Sequence, residues 1–124
     1  MMHIKSLALT LCSAAVLLAA DPKLLKDAKA KVDAKQFDAA IALLDPAYKA
    51  NPKDADLNKA LADAHLKYGD SYMYNDQLPP RMKYAPALKQ YRQVLVYDKT
   101  NKDAQQKINT IESIYKQMGR PIPQ

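Results

Sequence analysis

Lys35-Gln36-Phe37-Asp38-Ala39-Ala40-Ile41-Ala42-Leu43-Leu44 and Lys83-Tyr84-Ala85-Pro86-Ala87-Leu88-Lys89-Gln90-Tyr91 are two versions of one pattern. In each, an aromatic residue sits three positions before an alanine, an aliphatic residue follows the alanine, and a large residue lies four positions after it. Residues three and four apart share a helical face. A small residue on that face lets a second helix approach closely, and the larger ones fill the space to either side. A pattern of this kind recurring further down the chain points to stacked helical hairpins.

Working outward, five segments have helical periodicity. The first runs from Asp21 to about Lys35, with Asp21 as its cap, Pro22 in its first turn, and Leu25, Ala28 and Val32 on one face. The second runs from about Asp38 to Ala50 with Ala40, Leu43, Leu44 and Ala47 inward, and Asn51-Pro52 ends it. Pro46 falls inside it, where it removes a hydrogen bond and is expected to kink the backbone. The third starts near Asp54, carries Leu57, Leu61, Ala64 and Tyr68, and stops at residues 75–80. The fourth is expected from about Ala85 to Tyr97, with Pro86 in its first turn and Leu88, Tyr91 and Leu95 as its stripe. The fifth follows Thr100-Asn101, carries Ala104, Ile108, Ile111, Tyr115 and Met118, and closes at Gly119 before Pro121 and Pro123. Two glycines in 124 residues and few β-branched runs agree with an all-α fold.

Taken together these residues resemble the tetratricopeptide repeat family. With Asp21 as the first position of a repeat of about 34 residues, Leu24, Ala28, Ala40, Leu44, Ala47 and Pro52 fall where the family has a large residue, a small one, Ala, a large one, Ala and Pro. In the next unit Leu61, Ala62 and Gly69 fit the first helix and turn. Ala87, Tyr91 and Val94 fit the second helix after thirteen residues are skipped. Asp27 departs from the pattern, which has Leu there. The resemblance covers nearly all of residues 21–118. It implies a short array: repeat one at 21–54, repeat two with an insertion at 55–101, a capping helix at 102–118 and a tail at 119–124.

The insertion is the most individual stretch. It holds Tyr72, Met73, Tyr74, Leu78, Pro79, Pro80 and Met82, with Tyr68 and Tyr84 at its flanks. This stretch and the ending Met118-Gly119-Arg120-Pro121-Ile122-Pro123 resemble inserted repeats of bacterial envelope tetratricopeptide proteins. One reading has the third helix running long, with tyrosines and Leu78 folding back over a core that two repeats leave exposed. The other makes the tyrosines a recognition pocket for a small ligand or an envelope polymer. A tyrosine serves either, because its ring packs while its hydroxyl stays wet.

Ahead of the repeats, Lys5 is followed by an apolar run from Leu7 to Leu18 and by Ala19-Ala20. A positive start, a run of about a dozen apolar residues and a small-residue exit form a secretory signal peptide. At about 1.5 Å per residue the run is short of a bilayer's hydrocarbon core of about 30 Å. Cleavage after Ala20 is therefore expected, with residues 1–20 as the leader and no membrane span afterwards; an uncleaved anchor is the alternative, since Leu18 stands where a small residue is preferred. Lipidation at Cys12 is disfavoured by the bulky Leu11 before it. These features point to the periplasm or envelope of a bacterium.

The chain carries +6 formal charge, but Lys26, Lys29, Lys31 and Lys35 alternate with Asp27 and Asp33, as on a solvated helix face. No aromatic-and-basic reading motif accompanies them, so no nucleic-acid partner is expected. No cofactor, metal or catalytic residue is expected either. His65 is the only histidine after the leader, and packing explains it best; there is no Gly-rich phosphate loop and no nucleophile elbow. Asp54 and Asp56 are two apart and do not share a helix face.

Members of this family generally bind peptides or proteins on a concave face made by the first helix of each pair. The resemblance puts Leu25, Lys29 and Val32 from unit one on that face, with Asp56, Lys59, Asp63, Leu66 and Lys67 from unit two and Thr110 from the last helix. Tyr72 and Tyr74 join them if the insertion is a pocket. The clamp that some members use for a C-terminal carboxylate does not match, because Asp63 stands where Asn is needed. The expected function is a non-catalytic scaffold for a protein or peptide partner. A self-assembling subunit is the alternative, motivated by an open array end that would expose Ile108, Ile111, Ile114 and Tyr115.

Overall fold

A computed structural model describes residues 19–124, so the expected leader lies outside the described residues apart from Ala19 and Ala20. The described residues form five helices: α1 (Pro22–Asp33), α2 (Phe37–Ala50), α3 (Ala55–Met73), α4 (Pro80–Tyr97) and α5 (Lys102–Gln117). They pack as two antiparallel hairpins, α1–α2 and α3–α4, with α5 laid against α4 as a closing helix.

Two aspartates and an asparagine cap helices. Asp21 Oδ1 accepts from Lys23 N at 2.9 Å, Asp54 Oδ1 from Leu57 N at 2.9 Å, and Asn101 Oδ1 from Ala104 N at 2.9 Å. Each starts a first helix of a pair or the closing helix, and each cap stabilises by about 1 kcal/mol. The partner helices α2 and α4 begin at Gln36 and Pro79 without side-chain caps, and they contain Pro46 and Pro86. Their stability comes from the faces they bury. Both α1 and α5 end in a left-handed residue that returns two amides to the last turn. Lys35 N and Gln36 N reach Val32 O and Lys31 O, and Gly119 N and Arg120 N reach Lys116 O and Tyr115 O.

Small residues stand at the crossing points. Ala28, Ala40, Ala62, Ala64, Ala87 and Ala104 are all buried, and Leu44, Leu57, Leu61, Leu88, Tyr91, Val94 and Ile111 fill the space around them. Leu43 and Ala47, expected inward, are only half-buried, because α2 turns its Ala40 and Leu44 edge to the core. Helix α2 continues through Pro46, which is exposed.

Two expectations change. Helix α4 starts at Pro80, five residues before Ala85, so Pro86 lies inside it. Pro80 suits a first turn, Arg81, Met82 and Lys83 are good helix formers, and Tyr84 packs against the α4–α5 core. The stretch read as an insertion is therefore helix at both its ends: α3 runs long to Met73, residues 74–79 form the turn, and α4 begins early at Pro80. The apolar array end is also absent. Ile108, Ile111 and Tyr115 are buried against Ala87, Leu88 and Tyr91, Ile114 is half-buried, and Ile122 of the tail packs on the same cluster. The guanidinium of Arg92 fixes that tail by donating to Pro123 O at 2.7 Å.

Candidate functional site

Helix α1 presents Leu25, Lys29 and Val32, four and three residues apart, to a neighbouring helix that presents Asp56, Lys59, Asp63 and Leu66 at the same helical spacing. Between α1 and α3 these seven side chains line one groove of about 630 Å³. Ala28, Ala60 and Ala62 form its floor, and their small side chains keep it open. The turn between α4 and α5 closes one end with Tyr97, Asp98 and Asn101. Sequence reasoning missed these three. The only signal was the boundary residue Asn101, which it read as a helix start and nothing more.

The lips of the groove are charged and partly self-neutralised. Lys29 Nζ lies 3.3 Å from Asp33, and Lys67 Nζ lies 3.8 Å from Asp63. Asp56 and Lys59 make no ion pair among the described residues. The carboxylate of Asp98 accepts from Asn101 Nδ2 at 3.1 Å, which locks the turn. The groove therefore has an apolar floor, with an acid and a base that are unpaired among the described residues above it on α3.

The remaining sequence-named residues lie elsewhere. Lys67, Tyr72 and Tyr74 line a second cleft of about 1080 Å³, between the α1–α2 turn and the far end of α3; Val32 borders both spaces. Thr110 lines neither: it is exposed on α5 and its hydroxyl donates to Gln106 O at 2.9 Å. In the second cleft the aromatic rings spend their faces on one another. Phe37 and Tyr68 stack at 5.0 Å between centroids, and Tyr68 stacks on Tyr72 at 5.4 Å. Tyr68 donates to Asp38 at 3.4 Å, and its hydroxyl lies 3.5 Å from that of Tyr72. The bond with Tyr72 and burial hold the Tyr68 phenol well above its ordinary range. This ladder ties the long α3 to α2, while Tyr74 stands outside it and is 60% exposed.

Behind the groove wall sits His65, only 7% exposed. Its ring stacks on Tyr97 at 5.6 Å, and Tyr97 in turn meets Tyr48 edge-on. Nδ1 pairs with Gln90 Oε1 at 2.8 Å, which requires the proton on Nδ1, while buried Nε2 has no partner among the described residues. Burial lowers the His65 pKa, opposed by the Gln90 bond and by Asp45 and Asp38. The imidazole is thus a neutral spacer that backs Tyr97. Among the described residues, no group of three or more His, Cys, Asp or Glu gathers in metal-binding geometry.

With this geometry in view, comparison with known families is specific. Residues 31–71, from the end of α1 through α2 and most of α3, match the tetratricopeptide repeat family model. Residues 31–71 are tetratricopeptide repeat sequence. The match is a third of the chain's length, and it spans the joint between the two hairpins, where helices of both line the groove. No curated protein and no solved structure matches the chain. Tetratricopeptide repeats serve protein–protein interaction, and the α1–α3 groove lies on the face made by the first helix of each pair. Among the described residues, no helix is long and apolar enough to cross a membrane.

Proposed function

We propose that this chain is a non-catalytic interaction module of the bacterial cell envelope, which holds a peptide or protein partner in the groove between α1 and α3. The observation that carries the reading is the groove itself: about 630 Å³, floored by alanine and leucine side chains and rimmed by charges. Burying an apolar side chain there contributes about 1.5–3 kcal/mol, while Asp56 and Lys59 fix the orientation of what binds. Export is supported by the order of charge, apolar run and small residues in 1–20.

A self-assembling subunit draws no support from the end of the array, since its isoleucines are covered by α4 and the tail. A ligand stacked on the tyrosines finds the Tyr68 ring already sandwiched between Phe37 and Tyr72.

The test is a paired charge reversal, Asp56→Lys with Lys59→Asp, in the chain expressed in its own envelope. Both residues are exposed, so the fold is expected to keep its melting midpoint while a partner recovered with the wild type is lost. Equal recovery of the same partner by the reversed chain counts against this groove.

A further inference from the structure

Ala20 precedes α1 and is tied into the fold on two sides. Its side chain packs against the cluster of Ala28, Leu44, Leu57 and Leu61. Its backbone N–H donates to Asp54 Oδ2 at 3.1 Å, across 34 residues of sequence. The other oxygen of the same carboxylate caps α3 through Leu57 N. One aspartate therefore both starts α3 and holds the chain in front of α1. Ala19, the residue before, is exposed.

Two bonds at the end of the leader have equal claims to be cut. A break after Ala19 has Leu17 three residues from the bond, and a break after Ala20 has Leu18 there. Both depart from the small-residue preference to the same degree, so the leader does not choose between them. The two products differ in what the fold can hold. A break after Ala20 discards that residue's packing and its bond to Asp54. It also puts a new ammonium on Asp21, at the positive end of the α1 dipole. A break after Ala19 keeps Ala20 and turns the donor facing Asp54 into an ammonium, and a charge-assisted bond is the stronger kind.

We propose that the mature chain begins at Ala20, so that the leader ends at Ala19 and not at Ala20. An envelope signal peptidase adds water across the Ala19–Ala20 peptide bond, leaving a carboxylate on Ala19 and an ammonium on Ala20. That ammonium pairs with Asp54 and closes the start of α1 onto the start of α3. Asp54 is in this sense a receptor for the processed amine. The proposal rests on the reading of the N-terminal stretch as a cleaved leader, and its test separates the two.

The full chain, with a C-terminal tag, is exported in a bacterial host, and the product is read by intact mass and N-terminal sequencing. A chain beginning at Ala20 is expected. One beginning at Asp21, or at any other internal residue, overturns the proposal while leaving export standing. Retention of all 20 residues overturns both. In a second arm Asp54→Asn keeps an α3 cap but removes the charge. The melting midpoint is expected to fall by about 1–5 °C at low salt and by less at high salt. No salt-dependent difference from wild type overturns the ion pair.

Discussion

The ring of Tyr91 lies so close to Gly69 that a Cβ built on the glycine would stand 2.6 Å from Tyr91 Cε1 and 2.8 Å from Cδ1. Tyr91 has no room to withdraw. It is fully buried, and its hydroxyl donates to Asp70 Oδ1 at 2.6 Å. Alanine is worth about 1 kcal/mol more than glycine within a helix, but overpacking costs about 1–3 kcal/mol, and here the obstacle is an aromatic ring held at both ends. Gly69→Ala is expected to lower stability by about 1–2 kcal/mol in denaturant unfolding. Adding Tyr91→Leu, which removes the ring, is expected to cost less than the two single changes summed.

Beside that contact, Lys107 reaches from α5 to α3. Its Nζ lies 2.7 Å from Asp70 and 3.1 Å from Asp103, and its side chain is 15% exposed. Burial lowers its pKa, but hydrogen bonds to Asp70 and Asp103 outweigh that and leave the ammonium above the ordinary lysine value. Lys107→Ala leaves Asp70 without its cation and is expected to cost about 1–3 kcal/mol. Asp27→Ala, which breaks the exposed Lys23–Asp27 pair, is expected to stay within about 0.5 kcal/mol. Chemical denaturation of the two variants makes the comparison. Tyr91 is held protonated by burial and by Asp70, well above its ordinary range. The unfolded chain releases such protons earlier, so stability should fall as pH rises past about 10. Tyr91→Phe should flatten that fall.

His65 sets the acid side. Its pKa in the fold is below the ordinary value of 6.5, chiefly through burial, so the unfolded chain takes up the proton first. Stability is therefore complete above the ordinary value and declines as pH falls below it. Melting midpoints taken between pH 7.5 and 5 should drop for the wild type. They should drop less for His65→Phe, which keeps the stack on Tyr97 and cannot be protonated.

Lys35 and Gly119 occupy equivalent places after α1 and α5, with φ of 60° and 63°. A lysine there bears a left-handed penalty of about 1 kcal/mol that glycine does not. Lys35→Gly is expected to raise stability by about 0.5–1 kcal/mol. Gly119→Ala is expected to lower it by a similar amount, although nothing lies within 4 Å of the added methyl. Thermal unfolding of both variants checks the pair.

How far the sequence carried can be traced through individual residues. All five helices were legible because Asp21, Asp54 and Asn101 cap three of them and because Ala40 and Ala87 mark equivalent crossing points. The start of α4 was not, since Pro86 reads locally as a first-turn residue. Only the docking of Tyr84 on the α4–α5 core shows that the helix begins at Pro80. Pairs such as His65–Gln90 and Asp70–Lys107 join residues 25 and 37 apart, and no local period specifies them. Nor does the ending Arg120-Pro121-Ile122-Pro123 reveal that it folds back to Arg92 and packs Ile122 on the α4–α5 cluster. Of the expected site, Leu25, Lys29 and Val32 were named by the tetratricopeptide resemblance, and they line one wall of the groove. Tyr97 was not legible as part of it, because it enters from the end of α4, the second helix of its pair, while the resemblance named first-helix positions.

The central claim is that a partner docks between α1 and α3. The most direct measurement is site-specific photocrosslinking in the native envelope, with the reactive group placed in turn at Asp56 and Lys59 on the groove and at Lys89 and Lys116 on exposed positions of α4 and α5. The same crosslinked species from both groove positions, with none from the other two, is the predicted result. Crosslinks confined to Lys89 or Lys116 would contradict the account and move the interaction surface to the other side of the array.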